Sequence, residues 1–365
     1  MSVTVKNMVG VAMLLGIMVS AANASSVKLQ ETATITMPGT PLQNFDTGYV
    51  DQNSGLLFLA DRSISAVDII NAVTGKYIGR VSGFAGFHGD NDTAGPSGLT
   101  GVDGQIWASD GNSSIKIIDP KSEKVVDVIS VGGQDRSDEM TYDARDQIVG
   151  IENDSDVPPF LTLISTKPDH KILAQIKFPH ATGGLDEPTF YPGTGMFYMS
   201  VPELDHVANQ GAVAVVDPRT EKVVKMIPVD NCIPAGSAFG PNGNFVLGCR
   251  AGASDSKLPQ LALVMNVDGS TVAKITQIGG VDTVAYNPNT EQYYLGSAAL
   301  PSGAVLGIID AATNSWVENI PTGGHAHAVA VSDADNRVFV PRPVTGGNCG
   351  TSGCIGVYEP VSNPQ

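Results

Sequence analysis

Apolar and polar positions alternate along this chain in short bursts, each ending in a cluster of turn-forming residues. The fullest instance is PTGGHAHAVAVSDADNRVFV at 321–340: a glycine-bearing turn, a short apolar strand at 329–331, a polar SDADN turn and a second strand at 337–340. The same order returns in GGVDTVAYNPNTEQYYLG at 279–296 and in GLDEPTFYPGTGMFYMS at 184–200. Alternation with a period of two predicts strands. Its recurrence at roughly 40- to 50-residue spacing predicts a repeat architecture, in which each unit buries its apolar face only against its neighbours.

A second unit interleaves with the first. It reads IIDPKSEKVVDVISV at 117–131, VVDPRTEKVVKMIPV at 215–229 and IIDAATNSWVENIPT at 308–322, with looser copies at 163–178 and 265–278 and a further one at 67–81. Asp-Pro and Asp-Gly supply the turns, and the β-branched flanks supply half-buried strands. These six units are outer hairpins. Seven inner hairpins precede them, with strands starting near Gly48, Leu99, Met140, Pro188, Ser237, Val284 and Val329. The last has only one further strand, at 355–358, whereas the alternating segment KLQETATITM at 28–37 has no partner before it. One strand short at the end and one spare at the start predict a closed circle. The expected fold is all-β, a seven-bladed β-propeller whose last blade is completed by the N-terminal strand, leaving no open edge. A sandwich does not account for such regular repetition of one turn.

The outer units, together with AVAVSDADNRVFV at 328–340, resemble the repeats of YVTN-type seven-bladed propellers, with more distant likeness to lactonase-like relatives. The resemblance spans about residues 28–360 and implies the fold. It assigns no residue roles, because that superfamily includes enzymes, binding modules and surface proteins.

Composition places the chain. Lys6, an apolar run at 8–19 and Ala22-Asn23-Ala24 read as a signal peptide over residues 1–24, followed by one propeller domain at 28–360. The run is short for a membrane span, so the mature protein is expected to lack one and to be periplasmic or secreted. A formal net charge of -16 disfavours nucleic acid and anionic lipid as partners. In an exported chain four cysteines suggest two disulfides, with three pairings open. Cys349 and Cys354 flank a short GTSG loop, and Cys232 and Cys249 bracket a predicted hairpin. Neither a CxxC nor a CxxCH occurs.

The chemistry is invisible as a local motif and emerges from the circle. Where each chain enters its innermost strand stand Asp46, a residue near Ser97, Asp138, Asp186, Ala235, Asp282 and His327, and next to them Glu139 and Glu187. In a propeller these positions gather round one mouth of the central channel. Carboxylates brought together repel, so they hold protons or a cation. The expected cofactor is a divalent metal ion on Asp46, Asp138, Asp186 and Asp282 with His325 and His327. Oxygen donors suit Ca2+ or Mn2+, and imidazoles shift the set toward Zn2+ or Fe2+. In extended backbone His325 and His327 would face the same side. Glu139, Glu187 and His327 are candidate proton carriers. His88, His206, Arg62, Arg250 and Arg342 are candidates for substrate contact from the loops, the arginines equally for salt bridges within the acidic rim. The long loops fall on the same face as the carboxylates, where function concentrates.

There is no phosphate loop, dinucleotide fingerprint or nucleophile elbow, and Trp107 and Trp316 are the only tryptophans. The reading is a metal-dependent propeller enzyme acting on a small organic substrate, by lactone or ester hydrolysis or by lyase or isomerase chemistry. Its alternative is a non-catalytic propeller that binds a protein or glycan.

Overall fold

A computed structural model describes residue 1 and residues 27–253, 256–344 and 349–361. The segment expected to be a signal peptide falls almost wholly outside them. Seven four-stranded antiparallel sheets follow one another in chain order. Blades 1 to 6 occupy 48–82, 99–130, 140–177, 186–230, 234–275 and 281–321, each with its strands in sequential order from the axis outward. Blade 7 takes its three inner strands from 330–360 and its outermost from Leu29–Ile35. The seven-bladed propeller closed by its N-terminal strand is therefore the architecture of the chain.

Local chemistry explains the repeated hairpin. In the outer turns an aspartate or asparagine closes the loop on itself: Asn71, Asp119, Asp217 and Asp310 accept backbone N–H bonds of 2.8 to 3.1 Å from Thr74, Lys121, Arg219 and Thr313. A residue one or two places before the outer strand then sits in the left-handed region, at φ values of 68, 55, 58 and 52° for Gly75, Glu123, Glu221 and Asn314. A register shift follows in the third strand of each of these sheets, as at Ile69/Ile70 and Ile308/Ile309. Such bulges increase the twist that lets one sheet pack face to face on the next.

Burial follows from that packing. Second strands such as Leu56–Asp61 and third strands such as Ala66–Asn71 are covered on both faces by the neighbouring blades and are buried almost throughout. Outer strands such as Lys124–Ser130 are mostly exposed. Seven hydrophobic clusters result, one at each blade interface. Round the channel, side-chain hydroxyls stitch adjacent inner strands: Thr47 donates to the Ser97 carbonyl at 2.7 Å, Thr189 to Ser237 at 2.9 Å and Thr283 to His327 at 2.8 Å.

The circle closes where Leu29–Ile35 pairs with Cys354–Pro360, from Leu29 opposite Pro360 to Ile35 opposite Ile355. Arg342 fastens this seam. It is buried, donates to Glu31 at 2.6 Å and to the Thr322 carbonyl at 3.0 Å, and so lies beneath the seam instead of on the substrate rim where the sequence placed it. Both expected disulfides form, Cys232 with Cys249 and Cys349 with Cys354.

Phe339 is fully buried in the cluster that joins blade 7 to blade 1, against Ile35, Leu57 and Val357. Phe339→Ala should cost about 3 to 5 kcal/mol, the usual cost of emptying an aromatic site. Chemical and thermal unfolding check this, and an unchanged midpoint would mean that closure does not depend on this cluster.

Candidate functional site

At the end of the channel where the inner strands begin, a cavity of about 980 Å3 is lined by Asp46, Asp138, Asp186, Asp282, His325 and His327, with Glu139 and Glu187 deeper. Residues from 46 to 327 thus meet round one axis. They do not form one ligand ring, because three arginines separate them. Arg62 pairs with Asp46 and spends its Nη2 and Nε also on Ser97 and the Pro96 carbonyl, bridging blades 1 and 2. Arg136 pairs with Asp138 and grips both oxygens of Asp154 at 3.2 and 2.9 Å. Arg250 Nη2 lies 3.0 Å from Asp186 and 3.0 Å from Asp282.

This changes the expected metal set. Asp186 and Asp282 share one guanidinium and are not grouped with the other acids, whereas Asp46, Asp138 and Glu139 can each offer an oxygen within 4.8 Å of the others. Glu139, expected as a proton carrier, joins the potential ligands. Both histidines line the cavity, but not through the extended backbone expected of them. His325 takes a φ of 44° in a turn, so the extended backbone that would align their rings is absent. His327 stacks on Phe45 with ring centroids 4.6 Å apart, holds the His325 carbonyl through Nδ1 at 3.1 Å and places Nε2 3.8 Å from Asp46. His88 is exposed and bonds the Ala85 carbonyl at 2.9 Å, and His206 is exposed on the 203–209 loop. Neither lines the cavity.

Below the rim the channel narrows. Glu139, Glu187 and Thr283 line both this cavity and a second one of about 590 Å3 that opens at the opposite end, so they form the waist between two funnels. Behind Glu139 stands Glu152, fully buried, with both carboxyl oxygens lacking a partner among the described residues. Burial, with the charges of Asp46 and Asp186 against the pull of Arg136, pushes Glu139 up to about 8. Burial and neighbouring carboxylates raise Glu152 and Glu187 well above the usual range. Asp186, only half neutralised by a shared arginine, is pushed up to about 7 by burial and by Asp282 and Asp138. Asp46 goes the other way. Its burial is outweighed by Arg62 and His327, which hold it well below the carboxylate range. Burial opposes a charged His327, but the nearby Asp46 carboxylate and the Asp282 charge raise its proton affinity above the ordinary histidine value. Burial, against the pull of Arg136, also raises Asp138 well above the usual carboxylate range. The site is therefore a rim of arginine-paired aspartates, of which Asp46 is held ionised, over a waist of carboxyls raised toward neutrality.

No family model matches the chain, and no curated protein is similar to it in sequence. Likeness appears at the level of shape: 1643 solved chains resemble it. One belongs to the structure titled "Crystal Structure of Mitotic Checkpoint Complex", with a TM-score of 0.69 at 12% identity over 98% of this chain and 100% of that one. What is shared is the seven-bladed propeller. At such identity the likeness carries the fold alone, and the YVTN-type and lactonase-like relationship is not shown.

Sequence reasoning missed Arg136, Glu152 and Asp154. For Glu152 a signal existed. Its place on the second strand, where it accepts the Asp138 N–H, is held by Ala60 opposite Asp46, Ser109 opposite Ser97 and Ser200 opposite Asp186. A glutamate in a column of small residues marks a side chain pushed toward its neighbour on the axis. Arg136 offered no such sign, because it sits in the loop before its strand.

The raised Glu139 affinity fixes a pH dependence. Between its ordinary value of 4.5 and about 8 the folded protein holds a proton that the unfolded chain releases, so stability falls as pH rises through that window. In chelator-treated protein the melting temperature should drop from pH 5 to pH 8, Glu139 contributing the equivalent of a few kcal/mol at most. Glu139→Gln should remove its share of the drop, leaving the part carried by the other raised carboxyls, and be the more stable form at pH 8. A variant that melts with the parent's pH profile would show Glu139 to titrate normally.

Proposed function

We propose that the mouth holds a divalent cation on Asp46, Asp138 and Glu139 and uses it on a small organic substrate. The observation that carries this reading is Asp138. Its side chain is nearly sealed, at 4% exposure for the residue, yet Oδ1 has no partner among the described residues while Oδ2 meets Arg136. A buried carboxylate oxygen left without a donor costs free energy unless a cation or proton meets it. The potential donors are carboxylate oxygens, and His327 is engaged with Asp46 and His325. A hard cation such as Ca2+, Mg2+ or Mn2+ suits that set better than zinc or iron.

When bound, the cation would polarise a carbonyl or ester oxygen and lower the pKa of a bound water. Glu187 stands across the waist as a neutral acid whose Oε2 has no partner among the described residues, and it can deliver a proton to a leaving group. Gly236 makes room for it, since a Cβ there would lie 2.2 Å from Glu187 Oε2. His327 holds Asp46 ionised and in place. Lactone or ester hydrolysis and metal-assisted lyase or isomerase chemistry use these parts equally well. Two disulfides suit the oxidising periplasmic or extracellular location that the N-terminal sequence suggests.

One observation favours the non-catalytic alternative: every aspartate of the ring already has an arginine. Metal titration separates the two. Protein prepared without added metal, then titrated calorimetrically with Ca2+ and Mn2+, should bind one ion per chain. Asp138→Asn should weaken binding by roughly tenfold or more, whereas Asp282→Asn, which touches only the Arg250 pair, should retain it. Absence of binding and of any thermal shift in the parent would leave the non-catalytic reading standing.

A further inference from the structure

We infer that Arg250 is the anchor for the carboxylate of a small monoanionic ligand, whose short apolar body lies against Ile233 and the small residues beside it. This deepens the reading of the mouth as a small-molecule site. The three arginines of the rim are not equivalent. Arg62 and Arg136 have side chains only 5% and 15% exposed, and each commits Nε as well as Nη2 to protein oxygens. The Arg250 side chain is 51% exposed and makes both of its aspartate contacts through Nη2. Its Nε and Nη1 have no partner among the described residues. A guanidinium held at one corner by two aspartates, with its other donors facing a cavity, presents a flat fork that matches the two oxygens of a carboxylate.

The wall next to Arg250 differs in kind from the rest of the rim. Leu185, Pro202, Ile233, Val281, Ala298 and Ala299 line the same cavity and leave a low, apolar side. Ile233 is held there against its own preference, since its φ of 57° lies in the left-handed region that bulky β-branched residues avoid. Its neighbours hold it in place. The preceding Cys232 is bonded to Cys249, the Ala251 N–H donates to the Cys232 carbonyl at 2.9 Å, and the Arg250 N–H donates to the Ile233 carbonyl at 3.0 Å. One covalently closed bracket thus sets an unusual isoleucine and the half-exposed guanidinium side by side. Conformations of this type persist where the surroundings over-determine them, and they gather at ligand sites.

Charge and size restrict the ligand. Arg250 offers one guanidinium fork flanked by Asp186 and Asp282 at 3.0 Å, which suits one carboxylate and opposes the second charge of a dianion such as phosphate. The cavity, about 980 Å3, is of the size that takes small molecules.

The test compares hexanoate, hexanamide and inorganic phosphate by calorimetry or ligand-observed NMR, with and without Ca2+. In the parent, hexanoate should bind at least tenfold more tightly than the other two. Arg250→Gln should remove the preference for acid over amide. Ala298→Phe, which fills the apolar side without touching a charge, should weaken acid and amide alike and keep their ratio. Equal binding of acid and amide by the parent, tighter binding of phosphate, or a preference that survives in Arg250→Gln would overturn the inference. The parent comparison stands whether or not either variant folds. Failure of Ca2+ to bind, with the acid preference intact, would overturn the metal reading and not this one.

Discussion

Everything in this molecule depends on the pairing of residues 29–35 with residues 354–360. No blade has a core of its own. Each buries its apolar faces only against the blades on either side, through the clusters at the seven interfaces. An open array would leave two faces and two edges exposed, and its inner strands would not converge. The N-terminal strand removes the edge, and Arg342 locks the seam from beneath by joining Glu31 to the Thr322 carbonyl. The charged mouth is a product of that closure, since its residues come from blades that share no local sequence context.

Closure also creates the electrostatic problem that the site has to solve. Bringing Asp46, Asp138, Asp186 and Asp282 to one rim, with Glu139, Glu152 and Glu187 beneath, concentrates negative charge where water is scarce. The chain answers in two layers. At the rim each aspartate meets a guanidinium, and one arginine serves two blades. At the waist there is no such partner, and the glutamates retain their protons near neutral pH. The rim is thus oriented by guanidinium pairs, with Asp46 held ionised and Asp138 and Asp186 raised, and the waist is proton-bearing. That division places arginine-paired and proton-holding acids in one cavity.

How much of this was legible depended on which physical rule governed it. Blade number, closure and the circular placement of Asp46, Asp138, Asp186, Asp282 and His327 follow from strand periodicity and residue counts, and both survive any choice of rotamer. The partners of those residues do not. Arg136 reaches Asp138 and Asp154 because a loop curls back over the rim, and no pattern of alternation encodes that. The HAH tripeptide misled for a related reason: with His325 turned into the left-handed region, spacing no longer reports direction. Arg342 ends its strand as Arg62 does, yet the seam claims it, because only blade 7 has a strand from the other terminus beside it. Pairwise reach across blades is a tertiary property, legible only where a column of equivalent positions has an odd member, as Glu152 does.

Because each blade contributes one residue to each tier of the mouth, the site is built in sectors. Blades 2 and 5 place Ser97 and Ala235 where other blades place a charge, and both are fully buried. Those two sectors are blank. Descent with modification in such a propeller can rewrite one sector through a single codon while the remaining ones keep their chemistry. A common scaffold can in this way diversify what it recognises without ever passing through an unfolded ancestor.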